Sequence, residues 1–208
     1  MKKPIRLLAA FLSLAVTLFV AGCESNEKVA RNHPTPAPTP DAAVSQPAIP
    51  AANVPPAEKT LVRINAGASS PMTDSSGNVW LADQGFDGGD TVERSELTIT
   101  NTTQTGIYCS EHYAMDSFTW PLANGKYLVQ LHFCETYDGI TGPGQRVFSF
   151  NVQGREFKDF DVWSKAGGPL TPHVEIVPVE ITDNKLLITF TSSIENPQIN
   201  GIEIIPQP

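Results

Sequence analysis

The run from Tyr127 to Tyr137, YLVQLHFCETY, constrains this chain more than any other stretch. Tyr127, Val129, Leu131 and Phe133 alternate with Leu128, Gln130 and His132, the period-two pattern of a strand that lays one face on a core. The same alternation carries Glu135 and Tyr137 onto the core-side row just as the strand runs out into a glycine-rich segment, Asp138 to Gly144. An acid and an aromatic ring at a strand exit are ingredients of a ligand site. The plainer alternative is a tyrosine that covers the core edge beside a glutamate that faces water.

Short alternating runs of this kind recur along the chain from Thr60. TLVRINAG, Thr60 to Gly67, reads as a first strand. Further strands are expected at Gly106–Ser110, Ser117–Leu122, Lys126–Thr136, Arg146–Val152, Arg155–Val162, His173–Ile181, Lys185–Thr191 and Gln198–Ile205. Turns such as Ala123-Asn124-Gly125, Gln153-Gly154 and Asp183-Asn184 separate them. Between the first two strands lies SSPMTDSSGNVWLADQGFDGGD, whose Ser, Asn, Asp and Gly clusters predict a long ordered excursion. Trp80 and Phe86 would plug it onto the core. A helical turn is expected at Glu93 to Thr98, and nothing between Thr60 and Pro206 sustains a helical period over three turns. So many strands without helices give an all-β fold, a sandwich or a barrel.

The first residues address compartment. Lys2, Lys3 and Arg6 precede an apolar run, Leu7 to Val20, too short to span comfortably as a lasting transmembrane helix. It ends in Val20-Ala21-Gly22-Cys23, which resembles a bacterial lipobox, with residues 1–22 as signal peptide and Cys23 as the lipidated cysteine. Glu24, where Asp would signal inner-membrane retention, favours the outer membrane in a cell that has two. Residues 23–59 are rich in Pro, Ala and Thr without periodicity, the composition of a disordered spacer. Residues 60–206 form the folded domain. The formal charge of -8 and the sequence pI near 4.9 argue against nucleic acid as a partner.

Two cysteines remain, Cys109 and Cys134. In an oxidising compartment a disulfide is the simplest reading; zinc bound with His112 and His132, or unreactive thiols, are the alternatives. The spacings fit no usual zinc knuckle, and no metal or other cofactor is expected. Catalytic signatures are absent: there is no Gly-x-Ser-x-Gly, no paired-histidine metalloprotease motif and no phosphate-cradling glycine loop. Acids near strand ends could serve a glycoside-processing enzyme, though such acids are usually solvated. More telling is the density of rings, acids and amides at loops. Tyr108, Tyr113, Tyr137, Glu111, Glu135, Glu195 and Asn196 supply what a sugar needs, aromatic faces for C–H surfaces and polar groups for hydroxyls.

Several ordered blocks resemble the malectin domains. They are RINAG at Arg63 to Gly67, TDSSGNVWLADQGFDGG at Thr73 to Gly89, IYCSEHY at Ile107 to Tyr113 and NGKYLVQLHFCETY at Asn124 to Tyr137. GQRVFSFNVQG at Gly144 to Gly154, FDVWSKAGG at Phe160 to Gly168 and IENPQINGIEII at Ile194 to Ile205 complete the set. The resemblance implies a jelly-roll-like, galactose-binding-like β-sandwich that binds glucosyl disaccharides through loops at one end, without catalysis. It places sugar contacts at Tyr113, Tyr137 and Glu195; the acids and amide already noted, Glu111, Glu135 and Asn196, are expected to support them, and Asp138 belongs to the candidate set. It departs from the family at Asp138, which stands beside Tyr137 in place of a second aromatic, and around Gly88 to Val92, which lacks an earlier loop tyrosine. A Cys109–Cys134 bridge would then fix Tyr113 relative to Tyr137. The expectation is thus a lipid-anchored cell-envelope protein with an oligosaccharide or polysaccharide ligand and a membrane contact through Cys23. A structural or protein-interaction module of the envelope is the second reading.

Overall fold

The computed structural model describes residues 59–208. The expected signal peptide, the lipidated Cys23 and all but the last residue of the spacer lie outside these residues.

Two antiparallel sheets face each other across one core, the β-sandwich expected. The first sheet holds β1 (Val62–Asn65), β12 (Gly201–Pro206), β6 (Gly125–Cys134) and β9 (Pro172–Ile181), in that spatial order. The second runs β11 (Gln198–Ile199), β5 (Ser110–Pro121), β10 (Lys185–Ile194), β7 (Val147–Val152), β8 (Arg155–Phe160). Its sixth strand, β4 (Phe86–Glu93), lies along the free side of β5. A small hairpin, β2 (Met72–Thr73) with β3 (Val79–Trp80), sits in the excursion after β1.

Alternation explains the core. Tyr127, Val129, Leu131 and Phe133 of β6 point inward, as do Leu186, Ile188 and Phe190 of β10. The sheets are joined by a cluster of phenylalanines in which Phe133 of β6 meets Phe148 and Phe150 of β7 and Phe160 of β8. Its centroid separations run from 4.9 Å for Phe133–Phe160 to 6.2 Å for Phe148–Phe150, within the range where tilted ring pairs attract. At its exit end β6 is buried on both faces, because Trp80 of the excursion and Ile99, Ile107 and Tyr108 of the segment between β4 and β5 form a second apolar cluster with Cys134. Trp80 is the plug expected, its indole Nε1 donating to Asp74 at 3.0 Å. Phe86 packs on the main core and stacks on His112 at 4.2 Å.

Four local expectations change. Gly106–Ser110 is mostly a 3-10 turn, Thr105–Cys109, and the strand read at Ser117–Leu122 is the end of the longer β5. Asp-Gly-Gly-Asp, read as turn chemistry, lies inside β4, where a bulge and left-handed backbone at Gly88 and Gly89 let an edge strand follow β5. Glu93 to Thr98 holds only a hydrogen-bonded turn, Leu97 N–H donating to Arg94 O at 3.3 Å. A five-residue helix, α1 (Val162–Ala166), follows β8, capped by Asp161 at one end and by left-handed Gly167 at the other.

The strand expected at Gln198–Ile205 is split at Asn200, where the chain leaves the second sheet for the first. Asn200 is fully buried. Its Oδ1 accepts from Cys134 N–H at 2.7 Å and its Nδ2 donates to Ser110 O at 2.8 Å, while its backbone N–H donates to His132 O and its carbonyl accepts from Ala66 N–H. Turned to the orientation that its neighbours satisfy, the amide of Asn65 donates to the carbonyls of Ile107 and Asn200 at 3.0 and 3.1 Å. Gly67, next to this knot, touches β5 so closely that a Cβ would stand 2.7 Å from Glu111 N and overlap its carbonyl. Asn200→Ala leaves the Cys134 N–H and the Ser110 carbonyl buried without partners, so unfolding free energy in urea should fall by about 2–4 kcal/mol. A loss under ~1 kcal/mol would show that the knot is incidental.

Candidate functional site

Where the knot ends, strand exits from both sheets open into a cavity of about 320 Å³. Its floor is the end of the β4–β5 pair: Val92 stands opposite Glu111, and Tyr113 lies between Asp90 of β4 and Gln198 of β11. Tyr137 forms one wall, following β6, and Glu195 with Asn196 forms another, in the turn from β10 to β11. Five of the residues expected at a sugar site therefore meet here: Glu111, Tyr113, Tyr137, Glu195 and Asn196.

Two arginines complete the lining, and neither was expected there. Arg94, just after β4, places Nη1 3.0 Å from Glu111 and 3.1 Å from the Thr136 hydroxyl, which itself donates to Glu111 at 2.7 Å. Arg146, just before β7, is buried; its Nε donates to Glu135 at 2.8 Å and its Nη1 to Asn196 O at 2.6 Å. Glu135 also accepts from the backbone N–H of Tyr137 at 3.1 Å. The sequence offered little to single them out: Arg146 begins an expected strand and Arg94 falls in the turn expected at Glu93 to Thr98, positions many surface arginines share.

These bonds correct two expectations. Glu135 does not face a ligand as a free acceptor; it is buried beneath Tyr137 and occupied by Arg146. Burial pushes its carboxyl above the usual glutamate value, against the pull of the Arg146 guanidinium. Tyr108, whose ring seemed available, is buried in the second cluster with its hydroxyl 2.9 Å from His132 Nδ1, and burial drives its ionisation upward. Asp138 is exposed and lies outside this cavity, on the far side of Tyr137.

The Cys109–Cys134 bridge is likewise not formed: both cysteines are free thiols. Cys109 Sγ is turned to the carbonyl of Thr105 in the 3-10 turn, while Cys134 is packed in the second cluster. Burial pushes the Cys134 thiol up to about 12, and the carboxylates of Glu135 and Glu111 add to this. The brace expected from sulfur is supplied instead by Arg94, Thr136 and Glu111, which tie the Tyr137 segment to the Tyr113 strand. Among the described residues no group of three His, Cys, Asp or Glu is placed to hold a metal. His112 is engaged by Asp83 at 3.0 Å and His132 by Tyr108 and by Glu203 at 3.2 Å.

Tyr137 is 44% exposed, large for a ring at the wall of a cleft. It folds back over the turn closed by Ile140 N–H to Tyr137 O at 3.1 Å. A Cβ on Gly139 would stand 2.6 Å from its Cζ and 2.8 Å from its hydroxyl oxygen. Gly139 thus leaves room for the ring in this position. Gly139→Ala should displace the ring at small cost to stability, because the far end of a mobile side chain can yield. Its melting temperature should stay within ~3 °C of wild type while the Tyr137 ring resonances, assigned by their loss in Tyr137→Phe, shift in a proton–carbon NMR spectrum; unchanged ring shifts would count against Gly139 as the seat of the ring.

Residues 60–202 match the family model described as Malectin domain. Kinesin-like protein KIN-14E of Oryza sativa subsp. japonica is 28% identical over 155 residues, which cover 70% of this chain and 14% of that protein. Among solved structures, a Bacteroides uniformis beta-glucuronidase superposes with a TM-score of 0.65 at 17% identity, over 72% of this chain and 18% of that one. The plant Receptor-like Kinase FER gives a TM-score of 0.62 at 20% identity, over 70% of this chain and 50% of that one. At such identities the structures speak for the fold alone. With the family model spanning every strand up to the start of β12, the sheet-switching knot and all the residues that line the loop-end cavity, the chain belongs to the malectin domain family.

Proposed function

We propose that this protein binds a neutral carbohydrate, without catalysis, in the cavity bordered by Tyr113 and Tyr137. The observation that carries the reading is the lining of that cavity: two tyrosines, Tyr113 and Tyr137, share one open cleft with Glu195 and Asn196. Rings meet the C–H face of a pyranose, and the carboxylate accepts from its hydroxyls. Membership of the malectin domain family supports the same assignment. An open cleft also speaks against a sandwich kept only for structure or protein contacts.

Charge supports a neutral sugar. Each arginine in the cavity is taken up by a carboxylate, Arg94 by Glu111 and Arg146 by Glu135, and Glu195 has no ion-pair partner among the described residues. An acidic sugar would have to displace one of these pairs. The same pairing disfavours hydrolysis, because the two buried glutamates are held by arginines rather than left to flank a glycosidic bond as acid and nucleophile. The anchoring implied by the leader belongs to the proposal: lipid on Cys23, a proline-rich spacer, and the binding domain held out from a cell-envelope membrane, with the outer membrane favoured.

Isothermal titration of glucosyl, galactosyl and xylosyl oligosaccharides should give dissociation constants in the millimolar to high micromolar range for at least one series. Tyr137→Ala should weaken that binding about fivefold, the worth of one exposed stack near 1 kcal/mol. Absence of binding by every series at millimolar concentration would sink the proposal. For the anchor, cells expressing the full chain should incorporate an alkyne-tagged fatty acid into the wild type and not into Cys23→Ser; equal labelling would refute lipidation at Cys23.

A further inference from the structure

On the other side of Tyr137 lies a second cavity, of about 360 Å³, which the first does not need. Its character is different. Leu97, Ile140, Leu170, Pro169 and the indole of Trp163 make it largely apolar, with Asp138 and Thr141 as polar members. Tyr137 lines both cavities. We propose that the second cavity is a further sugar subsite, in which a hexosyl unit stacks on Trp163, so that the ligand is a chain crossing Tyr137 rather than a disaccharide confined to the first cavity. This rests on the carbohydrate-binding reading above.

Three observations carry it. First, the groove is held in shape by hydrogen bonds between the segments that line it. Asp161, the cap of α1, accepts from Gly144 N–H at 2.8 Å and so ties the Trp163 helix to the Asp138 to Gly144 loop. Gln145 accepts from Thr141 N–H at 2.7 Å, and Leu170 N–H donates to the Glu135 carbonyl at 3.0 Å. Second, the rings are free for a ligand: among the described residues neither Trp163 nor Tyr137 stacks on another aromatic, although most other large rings of the domain do. Third, the two cavities are continuous in chemistry at Tyr137. A polar cleft and an apolar groove with acidic and hydroxyl members suit successive units of one glycan, each with C–H faces and hydroxyl edges. The Asp138 position, which departs from the family's second aromatic, then has a role, as a hydroxyl acceptor beside a stack that Trp163 provides.

Isothermal titration should compare two-unit and six-unit members of the gluco-, galacto- and xylo-oligosaccharide series, using wild type, Trp163→Ala and Trp163→Phe of matched melting temperature. The six-unit ligand of the series that binds should bind at least about fivefold more tightly than the two-unit one. Trp163→Ala should abolish that advantage and leave two-unit binding unchanged, and Trp163→Phe should keep most of it. Equal affinity for both lengths, unaffected by Trp163→Ala, overturns the second subsite and leaves the first standing. A gain seen with an octyl glycoside of the two-unit sugar but not with the six-unit sugar also overturns it, by assigning the groove to an apolar aglycone. No binding at any length overturns this inference together with the function on which it rests.

Discussion

The burial of Asn200 is the interaction on which the rest of the domain depends. A chain that passes from one sheet of a sandwich to the other must break its ladder, and a broken ladder leaves buried N–H and C=O groups that cost free energy if unpaired. One amide side chain answers several of them together, bonding β6 through Cys134 and β5 through Ser110, while its own backbone bonds His132 and Ala66. The ends of β1, β6 and β11 and the start of β5 therefore converge at one point. The loops that leave them are anchored close together, and the cavity between Tyr113 and Tyr137 is the space those loops enclose.

Around that space the structure sets its charges in pairs. A buried guanidinium or carboxylate without a partner would be costly, and removing one member of such a pair strands the other. Arg146 with Glu135 and Arg94 with Glu111 meet this requirement and turn it into scaffolding. Each pair joins the end of one strand to the start of the next, and each also bonds a loop: Asn196 through its carbonyl, Tyr137 through its N–H, Thr136 through its hydroxyl. The result is a cavity whose walls are positioned by neutralised charge and whose exposed contacts are rings, an amide and one carboxylate. Recognition of a polyol is the chemistry proposed for such a surface.

Much of the fold was legible because its signal is local. The alternation in Tyr127 to Phe133 and in Leu186 to Phe190 follows from the two-residue pleat, and the turns between strands carry their own chemistry. Where the local signal and the tertiary setting disagree, the setting prevails. Gly88 and Gly89 read as a turn, yet β5 offers an edge whose bonds a bulged strand can complete. Ile107 and Tyr108 read as strand, yet burial against Trp80 and Cys134 favours a tight 3-10 turn.

The candidate site divides the same way. Sequence by itself determined that an acid and a ring leave β6 together, that Tyr113 and Glu195 sit near loops, and that the ordered blocks resemble one family, since all of these depend on neighbours along the chain. Only the tertiary structure decided that Glu111 and Glu135 are both spent on arginines, and that Arg94 and Arg146 are the partners. It also decided that Gly139 leaves room for the Tyr137 ring and that Cys109 and Cys134 remain apart as thiols. The physical reason is range: strand pairing and side-chain facing are set within a few residues, whereas ion pairs, burial and cavity shape depend on segments that only the folded sheets bring into contact.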